Sequence, residues 1–166
     1  MQNINIQKFN IEIVKMDKSM LSSVQQIAAY ATTKFIDLDY LKKIIKNHKL
    51  QLDENNIKIG YIDSITVDIN YSGHGIGTLL LKETISRLKE SNTTFSIMAG
   101  WKNKDQVNIR NLATKESFKE EFTIENFWKD DSIEFNFDCT ACGSPPCLCS
   151  AIIYTKFLNK YNNHYN

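Results

Sequence analysis

Ser64-Ile65-Thr66-Val67-Asp68-Ile69, followed by Tyr71-Ser72-Gly73-His74-Gly75-Ile76-Gly77-Thr78-Leu79-Leu80, decides the fold of this chain. The first stretch alternates and is β-branched, which predicts a strand. Beyond the glycines, Gly77, Leu81, Ile85 and Leu88 share one helical face. Lys82, Glu83, Arg87 and Lys89 lie elsewhere on the wheel, so an amphipathic helix is predicted to about Glu90. A helix start carries unpaired N–H groups and partial positive charge. Glycines let a phosphate approach those groups with no Cβ in the way. A lone glycine here would mean a tight turn and nothing more. Three at alternate positions, followed by a threonine and two leucines, read as a pyrophosphate cradle.

The nucleotide follows by comparison of patterns. No Gly-Lys-Ser/Thr follows the glycines, which excludes a Walker loop. A dinucleotide fingerprint requires G-x-G-x-x-G and an acid about 20 residues on. The spacing here is G-x-G-x-G, and the next strand candidate, residues 94–99, ends without an acid. The strand, Ser-Gly-His-Gly-Ile-Gly-Thr-Leu-Leu and the helix together closely resemble the acetyl-CoA-binding motif of the GNAT N-acetyltransferases, [Arg/Gln]-x-x-G-x-[Gly/Ala]. Tyr61 to Val67 resembles the strand that leads into it. The close match covers about 30 residues, and the order of elements matches more loosely over most of the chain.

That resemblance implies a mixed α/β (α+β) fold: a central, mostly antiparallel mixed sheet with helices on both faces. It implies acetyl-CoA as cosubstrate, with Ser72, Gly73, His74, Gly75, Ile76, Gly77 and Thr78 around the diphosphate. Ser72 departs from the family's Arg or Gln, which weakens or alters one diphosphate contact. His74 either touches a phosphate or fills a turn position. The pantetheine arm is implied to lie between splayed strands, here residues 62–67 and 94–99. A backbone N–H among Ile65, Thr66 and Val67 would polarise the thioester carbonyl. The family's helix Asn falls at or near Gln106 or Asn108, with Asn108 as the candidate. The implied activity is acetyl transfer to a primary amine of a small molecule or polypeptide. The alternative is a non-catalytic CoA-binding or protein-interaction module organised by a zinc loop.

Acetyl transfer to an amine also requires a proton acceptor, and an acid helps the departing thiolate. Asp63 is the candidate base. Simple alternation places it on the same face as Ile65 and Val67, and burial among Ile62, Ile65 and Tyr61 would raise its pKa. A strand-end Asp bonded to a neighbouring loop is the alternative. The family commonly uses a Tyr on the short helix before a Gly-Phe pair. That pair reads Ser117-Phe118 here, and the Tyr position is Ala113. Tyr154 is the candidate acid, with Tyr61 and Tyr71 as alternatives and packing as the default role of each.

All four cysteines and both prolines fall between Cys139 and Cys149, with C-x2-C-x4-C-x-C spacing. Thiols this close in a reducing compartment suggest a structural zinc held by Cys139, Cys142, Cys147 and Cys149, ahead of free thiols or a disulfide. Four cysteine ligands leave no open coordination position, so the metal is expected to shape the acceptor side or an interface.

The whole chain sets bounds. With 166 residues, 42% hydrophobic and 23% charged, it is expected to be one domain, residues 1–158, with a polar tail at 159–166. A net charge of +1 gives no argument for nucleic acid or an anionic membrane. No secretory signal or apolar run of spanning length is found, so a cytoplasmic protein is expected, with a homodimer allowed. The predicted order is a strand at 9–15, then a helix capped by Asp17 or Ser19 with Leu21, Val24, Ile27, Ala28 and Ala31. A second helix capped by Asp37 or Asp39 carries Leu41, Ile44, Ile45 and His48. Two strands, 49–52 and 57–68, precede the glycines, one fewer than the family has, leaving part of the acceptor wall open or supplied by another subunit. A short helix at 105–115, an extended 118–128 and strands at 133–137 and 151–158 complete the order.

Overall fold

The structure is a computed structural model that describes residues 2–6, 9–13, 27–46, 48–53, 57–103, 106–107 and 109–158. Strands β1 (Gln2–Ile6) and β2 (Phe9–Ile13) form an antiparallel hairpin. The main sheet holds β3 (Ala29–Ile36), β4 (Ile59–Val67), β5 (Phe95–Asn103), β7 (Lys119–Ile124) and β8 (Ser150–Phe157) in the order β3-β4-β5-β8-β7. Only β4 and β5 run parallel; the other pairs are antiparallel, and short β6 (Gln106–Val107) folds back on β5.

Helices cover both faces. Helix α1 (Leu38–Ile44) starts at Asp37, whose carboxylate accepts from the Tyr40 N–H at 2.7 Å, as expected of an N-cap. It buries Leu41 and Ile44 against Ile59, Tyr61, Phe95, Ile97 and Ile153. On the other face α2 (Ile76–Glu90) and α3 (Arg110–Lys115) cover Ile62, Met98, Ile152 and Tyr154 through Leu81, Ile85, Leu88 and Ala113. Helix α4 (Lys129–Glu134) follows Phe127 and Trp128, which pack on the α1 side.

Several sequence expectations are corrected. Leu21 and Val24 lie outside the described residues, but Ala31 sits in strand β3, paired with Ile65, and not in a helix. Ile27, Ala28 and Ala31 have helical spacing, yet Thr32, Thr33, Phe35 and Ile36 favour a pleated edge strand. Residues 49–52 form no strand, so β4 is the single described strand between α1 and the glycines. Residues 133–137 are the end of α4 and a turn, with Ile133 and Phe135 exposed; their alternation faces solvent, not a sheet partner. The helix predicted from 105 begins at Arg110, after β6, and the extended 118–128 is strand only to Ile124. His48 falls just past α1, where its Nδ1 donates to the Ile45 carbonyl at 2.8 Å and its ring stacks on Phe122 at 4.5 Å.

Gly100 shows how tightly β5 is packed. A Cβ there would stand 2.5 Å from Ile109 Cγ2 and 2.8 Å from the Tyr154 ring. Gly100→Ala is therefore expected to destabilise the fold by about 1–3 kcal/mol, as overpacked cores do, read from the urea midpoint.

Candidate coenzyme site and cysteine cluster

The central feature is an interruption in the middle of the sheet. β4 and β5 pair only from Ile59↔Phe95 to Ile62↔Met98, yet β4 runs on to Val67 and β5 to Asn103. Beyond that point residues 64–67 pair only with β3, while 99–101 pair only with β8. Lys102 pairs with both Ser150 and Val107, so β6 occupies the β4-facing edge and closes the far end of the gap. Backbone N–H and C=O groups alternate sides along a strand, so about half of those at Ile65, Thr66 and Val67 face the gap. The splay expected between these strands is present.

The glycine turn stands above this gap. Asp68 accepts from the Asn70 N–H at 2.8 Å and caps a single 3-10 turn, Ile69–Tyr71, that reverses the chain into the glycines. Gly73 has φ +77° and Gly75 φ +80°, left-handed values that glycine adopts without a steric cost. A Cβ at either position would meet no atom within 4 Å. Gly75 is the N-cap of α2 and supplies no side-chain cap, so the first N–H groups of α2 have no capping oxygen there. A Cβ at Gly77 would stand 3.6 Å from Val67 Cγ2, so the first turn of α2 lies close over the end of β4. Ser72 donates its hydroxyl to the Ile69 carbonyl at 2.9 Å. His74 Nδ1 donates to the Ser72 carbonyl at 2.8 Å, which leaves Nε2 as the nitrogen without the proton in the neutral ring. Ile76 is buried, and Thr78 lies in the first turn of α2. Asn108 lies outside the described residues.

Asp63 departs from its expected surroundings. Thr32 pairs with Ser64 and Thr33 with Ile62, so Asp63 is the extra residue of a β-bulge. The bulge breaks the alternation: Ile62 and Ile65 both pack on the α2 side. Asp63 instead meets Lys34 at 3.1 Å, and Lys34 is the cross-strand partner of Tyr61. Asp63 is thus neither buried nor on the face of Ile65; it is an exposed carboxylate paired with a lysine.

Tyr154 is fully buried, with its ring against Gly100 in the part of β5 that has no pairing to β4. It shares a cluster with Ala113. Its hydroxyl donates to Glu120 at 3.3 Å. Burial, with Glu120, raises its pKa above the usual tyrosine value against the opposing pull of Arg110. Tyr61, one of the alternative acids offered by the sequence, lies on the α1 face, opposite the cluster that holds Tyr154. It is 8% exposed; burial, then the charge of Asp63, then Tyr40 and Asp131, raise its pKa. Asp63 shares this face by alternation from Tyr61, and the bulge that moves Ile65 to the opposite face has no sequence signal.

The cysteines form one cluster. All four sulfurs lie within 4.8 Å of one another. Cys149 Sγ is 3.7 Å from Cys139 Sγ and 3.5 Å from Cys142 Sγ. Sulfurs bound at ~2.3 Å around a tetrahedral ion stand about 3.8 Å apart, whereas a disulfide needs about 2.0 Å. A two-residue bridge, Cys139 N–H to Gly143 and back, both 2.8 Å, closes the first turn. The Leu148 N–H points at Cys142 Sγ, 3.4 Å away. Burial acts to raise the Cys139 thiol, but the N–H groups of Ala141 and Cys142 and the neighbouring thiols bring it to about 7. Burial pushes the Cys149 thiol up. The loop is fixed to α4: the Cys147 N–H donates to the fully buried Ser132 Oγ at 2.8 Å, and Phe127 N–H donates to the Cys149 carbonyl at 3.0 Å.

Sheet order, interrupted parallel pair and glycine-initiated helix define the fold of the GNAT N-acetyltransferases. Solved structures agree. The chain superposes on NAA60 of Arabidopsis thaliana bound to acetyl-CoA with a TM-score of 0.54 and 13% identity, covering 80% of this chain and 67% of that one. NatC bound to Gag peptide and CoA gives 0.51 and 14%, covering 80% and 62%. A GNAT-family acetyltransferase from Desulfovibrio desulfuricans gives 0.51 and 13%, covering 82% and 64%. The chain thus spans about two thirds of the length of these proteins. No family model and no curated protein sequence matches it. Among the described residues no helix is long and apolar enough to cross a membrane.

Proposed function

We propose that this protein transfers the acetyl group of acetyl-CoA to a primary amine of a small molecule or polypeptide. The observation that carries this reading is the left-handed Gly73–Gly75 turn opening α2 over the gap between β4 and β5. The turn offers backbone N–H groups to a diphosphate with no side chain in the way. The unpaired edges at 63–67 and 99–101 suit the amide groups of a pantetheine arm, which would complete the interrupted ladder. GNAT-fold structures solved with acetyl-CoA or CoA support the choice of ligand.

In the reaction, the amine loses its proton to Asp63 directly or through a water. Its nitrogen then forms the C–N bond, and the C–S bond breaks. A β4 amide among Ile65, Thr66 and Val67 stabilises the charge on the carbonyl oxygen. Tyr154, held protonated by burial, supplies the proton to the departing thiolate. Tyr154→Phe is expected to lower kcat about tenfold or more with acetyl-CoA affinity unchanged; equal kcat in a stopped assay would remove Tyr154 from the mechanism. The four cysteines fit a zinc ion, which would hold the loop together and take no part in acyl transfer.

The rival reading is a module that binds CoA without turnover, favoured by the absence of the family's Tyr at Ala113. Release of CoA from acetyl-CoA, measured with and without a panel of amines, separates the two. If no small or peptidyl amine accelerates release, the transferase reading fails. Native mass spectrometry of the same sample reports bound CoA, zinc and subunit number.

A further inference from the structure

Helix α4 and the cysteine loop form a surface whose chemistry differs from the rest of the chain. Residues 125–149 carry five acidic side chains and one lysine, a net −4 within a protein of net +1. Four thiolates around a divalent ion would add roughly −2. Large apolar side chains stand out among these charges: Ile133 is 57% exposed, Phe135 69% and Leu148 58%. Asp130, Asp131 and Glu134 are exposed beside them, and none of the three forms an ion pair among the described residues.

The same surface meets β5 at the end of the gap that β6 closes and shares a core cluster with β4 on the α1 face. A hollow of about 270 Å³ is shared there by Lys102 and Asn103 of β5 and by Glu125, Leu148, Cys149 and Ser150. Across the sheet, Phe127 and Trp128, which lead into α4, pack in one cluster with Tyr61. Tyr61 is 8% exposed, and Asp63 and Asp131 are the acidic groups whose charges act on it.

We infer that α4 and the cysteine loop are the docking surface for the acceptor, and that the acceptor is a polypeptide bearing basic and apolar side chains beside its reacting amine. The inference rests on the transferase reading and names its substrate class. Charge complementarity selects the basic partner. The exposed Ile133, Phe135 and Leu148 select a polypeptide over a small polyamine, because a polyamine has nothing to bury against them. The Cys147–Ser132 hydrogen bond makes the metal loop the support that holds α4 in place.

The test is calorimetry with CoA present, using a short peptide with a free amino terminus followed by lysines and leucines, and a matched peptide with glutamates in place of lysines. The wild type is expected to prefer the basic peptide by about tenfold or more, or roughly 1.4 kcal/mol. Asp131→Lys combined with Glu134→Lys is expected to erase that preference with CoA affinity unchanged. Phe135→Ser is expected to weaken the basic peptide alone. Equal binding of both peptides, binding of neither, or a preference that survives charge reversal overturns the docking surface. A linear polyamine that binds as tightly as the peptide and ignores Phe135→Ser overturns the polypeptide assignment. Binding of the basic peptide without acetylation retains the surface and overturns the transferase reading. Acetylation indifferent to peptide charge does the reverse.

Discussion

Gly75→Glu is expected to abolish the proposed acetyl-CoA binding. The residue caps α2 at φ +80° and its α-carbon faces empty space, so a glutamate side chain projects into the volume proposed for the diphosphate. It brings a like charge and blocks N–H groups whose hydrogen bonds to a charged oxygen are worth about 1.5–3 kcal/mol each. Losing two of them weakens affinity by about a hundredfold or more. The left-handed backbone costs a non-glycine residue about 1–2 kcal/mol, so a modest drop in melting temperature accompanies the loss. Gly75→Asn separates the effects, because Asn tolerates this conformation and carries no charge. Calorimetric titration of acetyl-CoA into both variants is the measurement. Glutamate binding as well as asparagine would mean the diphosphate lies elsewhere.

Cys142→Ser is expected to abolish zinc binding at the proposed four-thiolate site and to lower the melting temperature. Cys142 Sγ lies 3.5 Å from Cys149 Sγ and accepts the Leu148 N–H, so a serine loses both a ligand and a loop contact. The loop has two buried cysteines and little apolar burial of its own, so a bound metal would be its main source of order. The loss reaches α4 through Cys147 and Ser132. Zinc quantified per chain, together with a thermal scan, reads the result. Wild-type zinc content in the variant would rule out the four-thiolate site. A strong chelator is expected to lower the melting temperature of the wild type and leave that of Cys142→Ser unchanged.

The parts legible in the sequence are those written in local chemistry. Alternating β-branched residues marked β4, the glycines marked the head of α2, the acid Asp37 marked α1, and close thiol spacing marked the cluster. The errors arose where tertiary partners decide the outcome. Ala31 has helical spacing to Ile27 and Ala28 but is claimed by a ladder to Ile65. Ile133 and Phe135 read as a buried strand because exposed apolar residues on a short helix carry the same alternation. The inserted residue at Asp63 is set by register against β3, which no single segment encodes. Tyr61 was legible as a candidate, but its place in the cluster with α1, Phe127 and Trp128 is set by tertiary packing.

Strand β8 begins one residue after Cys149 and carries Tyr154 five residues beyond that cysteine. Because side chains alternate along it, a slide of one position would turn the buried phenol onto the α1 face and bring Ile153 or Thr155 to its seat. Cys149, held in the thiol cluster one step before the strand, therefore acts as a ruler, fixing by counting which side of the sheet the Tyr154 phenol occupies.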